Sequence, residues 1–396
     1  MYRQTCGGEY EEPLSPLDCG ISPIRGFLPK KDPLLALPEK FHFIDKISAS
    51  IPVMIKSGVI REELEKLPIP RLALVHCTDQ LERLFACYTH LGNAWYWGEE
   101  EQIDYIPKSI AWPLYYLGRR LGMPPILAYK PYVLDNWRRK DLSFPIQIEN
   151  LEVLHRFTDL TDGDWFILIH VEIEANAGPI PCAIYYGQKE TFSHRPENLS
   201  LHLQIVASAT KKMYRTLCRM REGCDPHRYY HDVRPYLFGF KNITYQGVKE
   251  YEGKPRSFRG ETGAQSAIVP CLDAALGIEH TSDSHNPDPL LLHLMEMRKY
   301  MPPGHLKFLE SVEKADANGA SIRACVLKNP ELQPFYNNCI HWLAKFREEH
   351  VGLATTHIHE QAQTSSTNPV HTGTGGTPYI KYLQKHLDET LKAIIS

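Results

Sequence analysis

Four stretches of this chain have residue types and spacings that bear on chemistry. His350 falls in a row with Phe335, Cys339, Leu343, Phe346, Leu353 or Ala354, and His357, at the three-to-four spacing of one helix face. An imidazole inside an apolar stripe needs a partner, because a buried polar group left unpaired costs ~1–3 kcal/mol. Haem iron is one such partner; a neighbouring carbonyl is the commoner one. His357-Ile-His-Glu360 looks like a metal string, yet no second ligand cluster stands at a suitable distance, and a solvated helix end is the simpler reading. Thr372-Gly-Thr-Gly-Gly-Thr377 lacks the Gly-Lys-Ser/Thr of a phosphate loop and the strand that precedes a dinucleotide fingerprint. Its hydroxyls and backbone N–H groups suit a loop that covers a substrate. Arg234 stands in Tyr229-Tyr-His-Asp-Val-Arg-Pro-Tyr236. A planar guanidinium among aromatic rings suits a molecule carrying a carboxylate and a ring; a surface ion pair is the alternative. No cysteine has a His or Asn context that marks a nucleophile.

These residues need elements to place them. Residues 1–35, rich in Pro and Gly, read as an extended arm. Apolar spacing predicts helices over 41–57, 72–95, 195–222 (with Asn198 and Ser200 as caps), 263–278, 290–300, 335–357 and 379–395. Prolines chop 107–131 into short pieces, and 241–259 reads as a polar connector. The run 165–177 is open. Ile169, Val171 and Ile173 alternate as in a strand, while Phe166, His170 and Glu174 form one helical row. Residues 361–377 read as a mobile loop. The pattern is mainly α, with a smaller mixed N-terminal region, 1–155, and a larger helical one, 156–396.

Composition narrows the function. Basic residues number 44 against 47 acidic ones, a net charge of −3, so the basic excess of a nucleic-acid binder is missing. The longest membrane-like stretch, 109–118, is far short of a spanning helix. Ten cysteines without a Cys-x-x-Cys pair, and an N-terminus without an apolar signal core, fit a reducing, cytoplasmic setting.

Several segments taken together resemble the indoleamine 2,3-dioxygenase family of haem enzymes. They are Met123-Pro-Pro-Ile-Leu-Ala-Tyr129, Asn136-Trp-Arg-Arg-Lys-Asp141, Arg234-Pro-Tyr-Leu-Phe-Gly-Phe-Lys241, Phe258-Arg-Gly-Glu-Thr-Gly-Ala-Gln-Ser266, Met297-Arg-Lys-Tyr-Met-Pro-Pro-Gly-His305 and Gly373-Thr-Gly-Gly-Thr377. They occur in the family's order from about residue 30 to the end. The resemblance implies a small N-terminal domain, a large all-helical C-terminal domain, and haem b between them. It implies opening of the indole 2,3-bond of L-tryptophan or a related indoleamine by O₂, giving N-formylkynurenine. It also implies an external electron donor that keeps the iron ferrous, and a monomer.

Residue by residue, the resemblance makes His350 the proximal iron ligand. Arg347, paired with Asp273, stands near the haem. Arg234 takes the substrate carboxylate. Tyr229 and Tyr230 fall where the family usually has Phe against the indole. Tyr129, Tyr132 and Val133 match the pocket wall, and Phe166 a distal aromatic. Gly260, Glu261, Thr262 and Gly263 match the distal loop, and Thr374 the loop that closes on substrate. His170 falls where vertebrate members commonly have Ser; an imidazole there resembles the tryptophan 2,3-dioxygenases, in which a His faces the indole N–H. A haem protein that carries or senses oxygen with little tryptophan turnover is the competing reading, because fold does not fix function.

Overall fold

The computed structural model describes residues 13–281, 288–363 and 380–396. Helix makes up 66% of it and strand 5%, so the chain is mainly α. Leu199–Cys218 is the helix around which the larger part is packed. Leu199, Leu203, Val206, Met213 and Leu217 are buried along it. Gln333–Ala354 lies along it, and Thr161–Asn176 and Ile180–Phe192 also pack on it. The C-terminal helix Ile380–Lys392 packs in turn on Gln333–Ala354.

Thr161–Asn176 settles the open run as helix. Ile167, Leu168, Ile169, Val171, Ile173 and Glu174 are all buried. A helix enclosed on most sides has no polar face to set its period, which is why its sequence reads equally as strand.

Several expected elements come out differently. The helix expected over 41–57 is two, His42–Ala49 and Ile51–Ser57, because Pro52 cannot donate to the preceding turn. The proline-rich stretch holds a full helix, Lys108–Leu121, with Pro113 inside it and buried. Beyond residue 12 the expected arm is no arm. A turn at Pro16–Cys19 leads Ile21, Phe27 and Leu28 into the core. Asn198 stands at the cap position of Leu199–Cys218, but its side chain bonds Glu190 instead (3.0 Å).

The expected polar connector contains two strands. Phe240–Tyr245 pairs parallel with Tyr105–Ile106 and antiparallel with Arg256–Phe258. A register shift between Phe240 and Ile243, with Asn242 at φ +57°, turns both apolar residues inward although they are three apart. That bulge erases the period-two signal. A second pair joins Trp137–Arg139 to Leu151–Val153. Residues 154–160, where the two regions were expected to meet, form neither helix nor strand. Among the described residues no helix is long and apolar enough to cross a membrane.

Candidate active site

Three π-helical turns hold candidate residues: Lys130–Leu134, Tyr229–Val233 and Thr355–His359. Such turns re-aim side chains and recur at functional sites. The first presents Tyr132 and Val133, with Tyr129 as its cap residue, and the second presents Tyr229 and Tyr230. The third corrects the reading of 357–360 as a solvated helix end. His357 is buried, its Nε2–H donates to the Cys224 carbonyl (3.1 Å), and the Thr356 hydroxyl donates to its Nδ1 (2.9 Å).

Four rings come together. Phe166 stacks on Tyr229 with centroids 4.6 Å apart and lies 4.4 Å from His170; Tyr129 meets His170 edge-on at 6.2 Å. His170 Nδ1–H donates to the Phe166 carbonyl (2.7 Å). With that proton fixed by the hydrogen-bond network, Nε2 keeps its lone pair. Burial lowers the His170 pKa, so the ring is neutral at pH 7. Tyr132 and Val133 are buried beside this group. Tyr132 turns its ring toward His90 (6.0 Å), yet it remains in the electrostatic field of Glu261 and Tyr229.

Arg234 is fully buried. Its guanidinium carbon lies 5.1 Å over the Tyr230 ring and 4.8 Å over that of Phe238. The rings hold the planar cation by its faces. Its charge acts on the Tyr229 hydroxyl, so the arginine borders the four-ring group. Tyr230 thus backs Arg234, whereas Tyr229 faces Phe166.

His350 is deep among protein atoms, and burial drives its pKa down to about 4, with the His170 and Arg347 charges adding to the effect. Its side chain is nonetheless open to solvent, and among the described residues its ring makes no hydrogen bond. The two facts agree if the ring borders an internal cleft. A neutral imidazole with an uncommitted nitrogen is a metal donor, so the site fits haem iron. One turn earlier, Arg347 pairs with Asp273 (2.6 Å) and donates to the Thr390 hydroxyl.

The loop 260–263 is tied down from within. Gly260 must be glycine, because a Cβ there would collide with the Leu237 carbonyl. Glu261 N–H donates to that carbonyl (3.0 Å), and burial pushes the Glu261 carboxyl up to about 8. Thr262 caps the short turn Gly263–Gln265, its hydroxyl accepting from Ala264 N–H (3.4 Å). A Cβ on Gly263 would meet nothing within 4 Å, so this residue faces open space. Thr374 lies outside the described residues.

The chain's relatives decide its family. The family model described as indoleamine 2,3-dioxygenase matches residues 16–393. Indoleamine 2,3-dioxygenase 1 of Rattus norvegicus is 31% identical over 386 residues, covering 92% of each chain. Indoleamine 2,3-dioxygenase 2 of Homo sapiens is 29% identical over 405 residues, 97% of this chain and 96% of that one. An indoleamine 2,3-dioxygenase of Aspergillus candidus is 30% identical over 391 residues, 94% and 95%. The chain belongs to the indoleamine 2,3-dioxygenase family. It is an oxidoreductase of the haem dioxygenase class.

In this family member two polar residues escaped the sequence reading. Gln265 is buried, accepts from Tyr129 N–H (2.8 Å) and donates to the Gly260 carbonyl (2.8 Å), so one amide joins the loop 260–263 to the Tyr129 turn. It lies inside the family-like segment 258–266, but nothing in that segment shows that it reaches Tyr129. Glu174 is buried one turn after His170, accepts from the Ser266 hydroxyl (2.9 Å) and stands beside Tyr129. Its place in the row of Phe166 and His170 was a usable signal. Burial raises its pKa to about 7, against the hydrogen bonds that lower it. The folded protein therefore keeps a proton on Glu174 that the unfolded chain has lost, between the ordinary glutamate value and about 7. Across that window stability falls as pH rises. Glu174→Gln removes this dependence. Denaturant midpoints should show the variant gaining on the wild type from pH 5 to pH 8; a constant difference would refute the raised pKa.

Proposed function

We propose that this enzyme opens the indole 2,3-bond of L-tryptophan with O₂ to give N-formylkynurenine, the first step of the kynurenine pathway. The observation that carries the reading is the fully buried Arg234 beside the Phe166–Tyr229–His170 group, with His350 in electrostatic range of His170. An oxygen carrier has no need of such a carboxylate clamp. Haem b would be held by His350, between the regions 1–155 and 156–396, and would supply the oxygen chemistry when kept ferrous by an external donor.

The chain's own residues do the rest. Arg234 takes the carboxylate through two parallel N–H donors. Phe166 and Tyr229 hold the indole plane, with Tyr129, Tyr132 and Val133 closing the wall. His170 Nε2, the free acceptor, takes the indole N–H. The open space at Gly263 admits the amino-acid end, and Thr374 lies in the segment assigned to cover it. Holding both ends of the substrate would fix the orientation of its reacting bond, and orientation of that kind lowers the barrier.

The test is aerobic incubation of the reduced, haem-loaded protein with L-tryptophan, following N-formylkynurenine and the haem spectrum together. Product over many turnovers supports the dioxygenase; a stable oxygenated spectrum without product supports the carrier. His170→Phe should keep its haem and lose roughly three- to tenfold in tryptophan turnover, the worth of one neutral hydrogen bond. Unchanged turnover would remove His170 from the substrate.

A further inference from the structure

A cluster away from the four-ring group has no role in the reading above. His280 lies just beyond the helix Ile268–Leu276, while His386 and Glu389 sit three apart on the C-terminal helix. One ligand atom from each of the three lies within 4.8 Å of the others. His280 Nδ1 is 2.7 Å from Glu389 Oε2, and its Nε2 is 3.2 Å from Asp273 Oδ2. The His386 ring stacks on that of His280 with centroids 4.0 Å apart and planes at 21°.

The second observation is His386 itself. Its side chain is 5% exposed, and its Nε2 is buried without a hydrogen bond. The facing charged atom, Asp288 Oδ2, stands 3.5 Å away. A buried imidazole with an unused nitrogen, stacked on a second imidazole and a turn from a carboxylate, is a ligand arrangement more than a hydrogen-bonding one.

We propose that His280, His386 and Glu389 form a binding site for a borderline divalent cation of the zinc type, which ties the C-terminal helix to the body of the protein. Two imidazoles and one carboxylate match the donor set of such ions. The surroundings match too. Asp273 accepts from His280 Nε2–H, which frees Nδ1 as the donor, the carboxylate–histidine arrangement that orients metal ligands. Thr281 donates to Glu389 Oε1 from both its N–H (3.1 Å) and its hydroxyl (3.0 Å), which leaves Oε2 for the ion. The ion replaces the proton shared by His280 and Glu389, so binding releases a proton. The nearby charges are three carboxylates, Asp273, Asp288 and Glu389, against the cations Arg347 and Lys385. Lys385 Nζ stands 3.6 Å from Glu389 and donates to Asp288 Oδ2 (2.7 Å) and to the Thr281 carbonyl.

The haem-loaded, full-length protein is stripped with a chelator and dialysed against micromolar zinc chloride, and bound zinc is counted by elemental analysis. About one zinc per chain is expected. Glu389→Gln is near-isosteric, and His386→Phe keeps the ring stack while removing the donor. Each should weaken zinc binding by roughly tenfold or more, with thermal melting to confirm folding; if one variant does not fold, the other decides. A wild type that binds no zinc, or folded variants that bind it equally well, would overturn the site. The readout is metal content, so failure of the tryptophan reading does not affect it.

Discussion

Replacing His350 by alanine is expected to give a folded protein that no longer takes up haem. The His350 ring is solvent-accessible and makes no hydrogen bond among the described residues, so its loss should change the haem-free stability by no more than about 0.5 kcal/mol. The same loss removes a neutral imidazole donor within electrostatic range of both His170 and Arg347. The Soret band should vanish, and with it all turnover. His357 is no substitute, because both its ring nitrogens are engaged, with the Cys224 carbonyl and the Thr356 hydroxyl. A haem-replete, active His350→Ala protein would place the iron ligand elsewhere. Titration with haem, followed by absorbance, reads the outcome.

Arg234→Ala should do the opposite: keep the haem and lose the substrate. A guanidinium held over two rings presents its donors to a carboxylate at fixed geometry, and a charged hydrogen-bonding contact of this kind contributes about 3 kcal/mol. That corresponds to roughly a hundredfold loss in kcat/KM for L-tryptophan. Alanine also leaves a hole beneath Tyr230 and Phe238, so a packing defect must be told from a lost clamp. Arg234→Lys makes the distinction. It fills most of the space and keeps the charge, but lacks the planar fork, so it should recover stability and little of the turnover. Full activity in Arg234→Lys would mean that charge alone suffices.

How much of this was legible in the sequence varied with the kind of signal. The helix carrying His350 was visible because its apolar residues recur on one face. Periodicity names the face, though, and not what the face meets, and the ring proved accessible where the stripe implied burial. The helix carrying His170 was unreadable by period because nearly every side of it is enclosed. The strand Phe240–Tyr245 was hidden by its bulge. Arg234 stood out by its aromatic neighbours, and its stacking partner Phe238 lies in the family-like segment 234–241, although nothing there showed that the two stack. The contacts of Gln265 and of the His280–His386 pair were invisible for a different reason. Each joins segments more than a hundred residues apart, and local sequence carries no trace of such a meeting. The distal-loop and pocket assignments came from family resemblance, and the geometry now gives Glu261, Thr262 and Gly263 distinct tasks: a buried carboxyl, a turn cap and an open face.

The central claim is that Arg234 holds the carboxylate of an indole amino acid whose ring lies against the group formed by Phe166, Tyr229 and His170. The most direct test compares kcat/KM for L-tryptophan and for tryptamine, which lacks only the carboxylate, in the wild type and in Arg234→Ala. If the arginine meets the carboxylate, removing either partner costs the same, and removing both costs little more. The wild type should prefer L-tryptophan by roughly a hundredfold, and Arg234→Ala should lose that preference. A variant that still discriminates as the wild type does would show that the carboxylate is read elsewhere and would contradict the account.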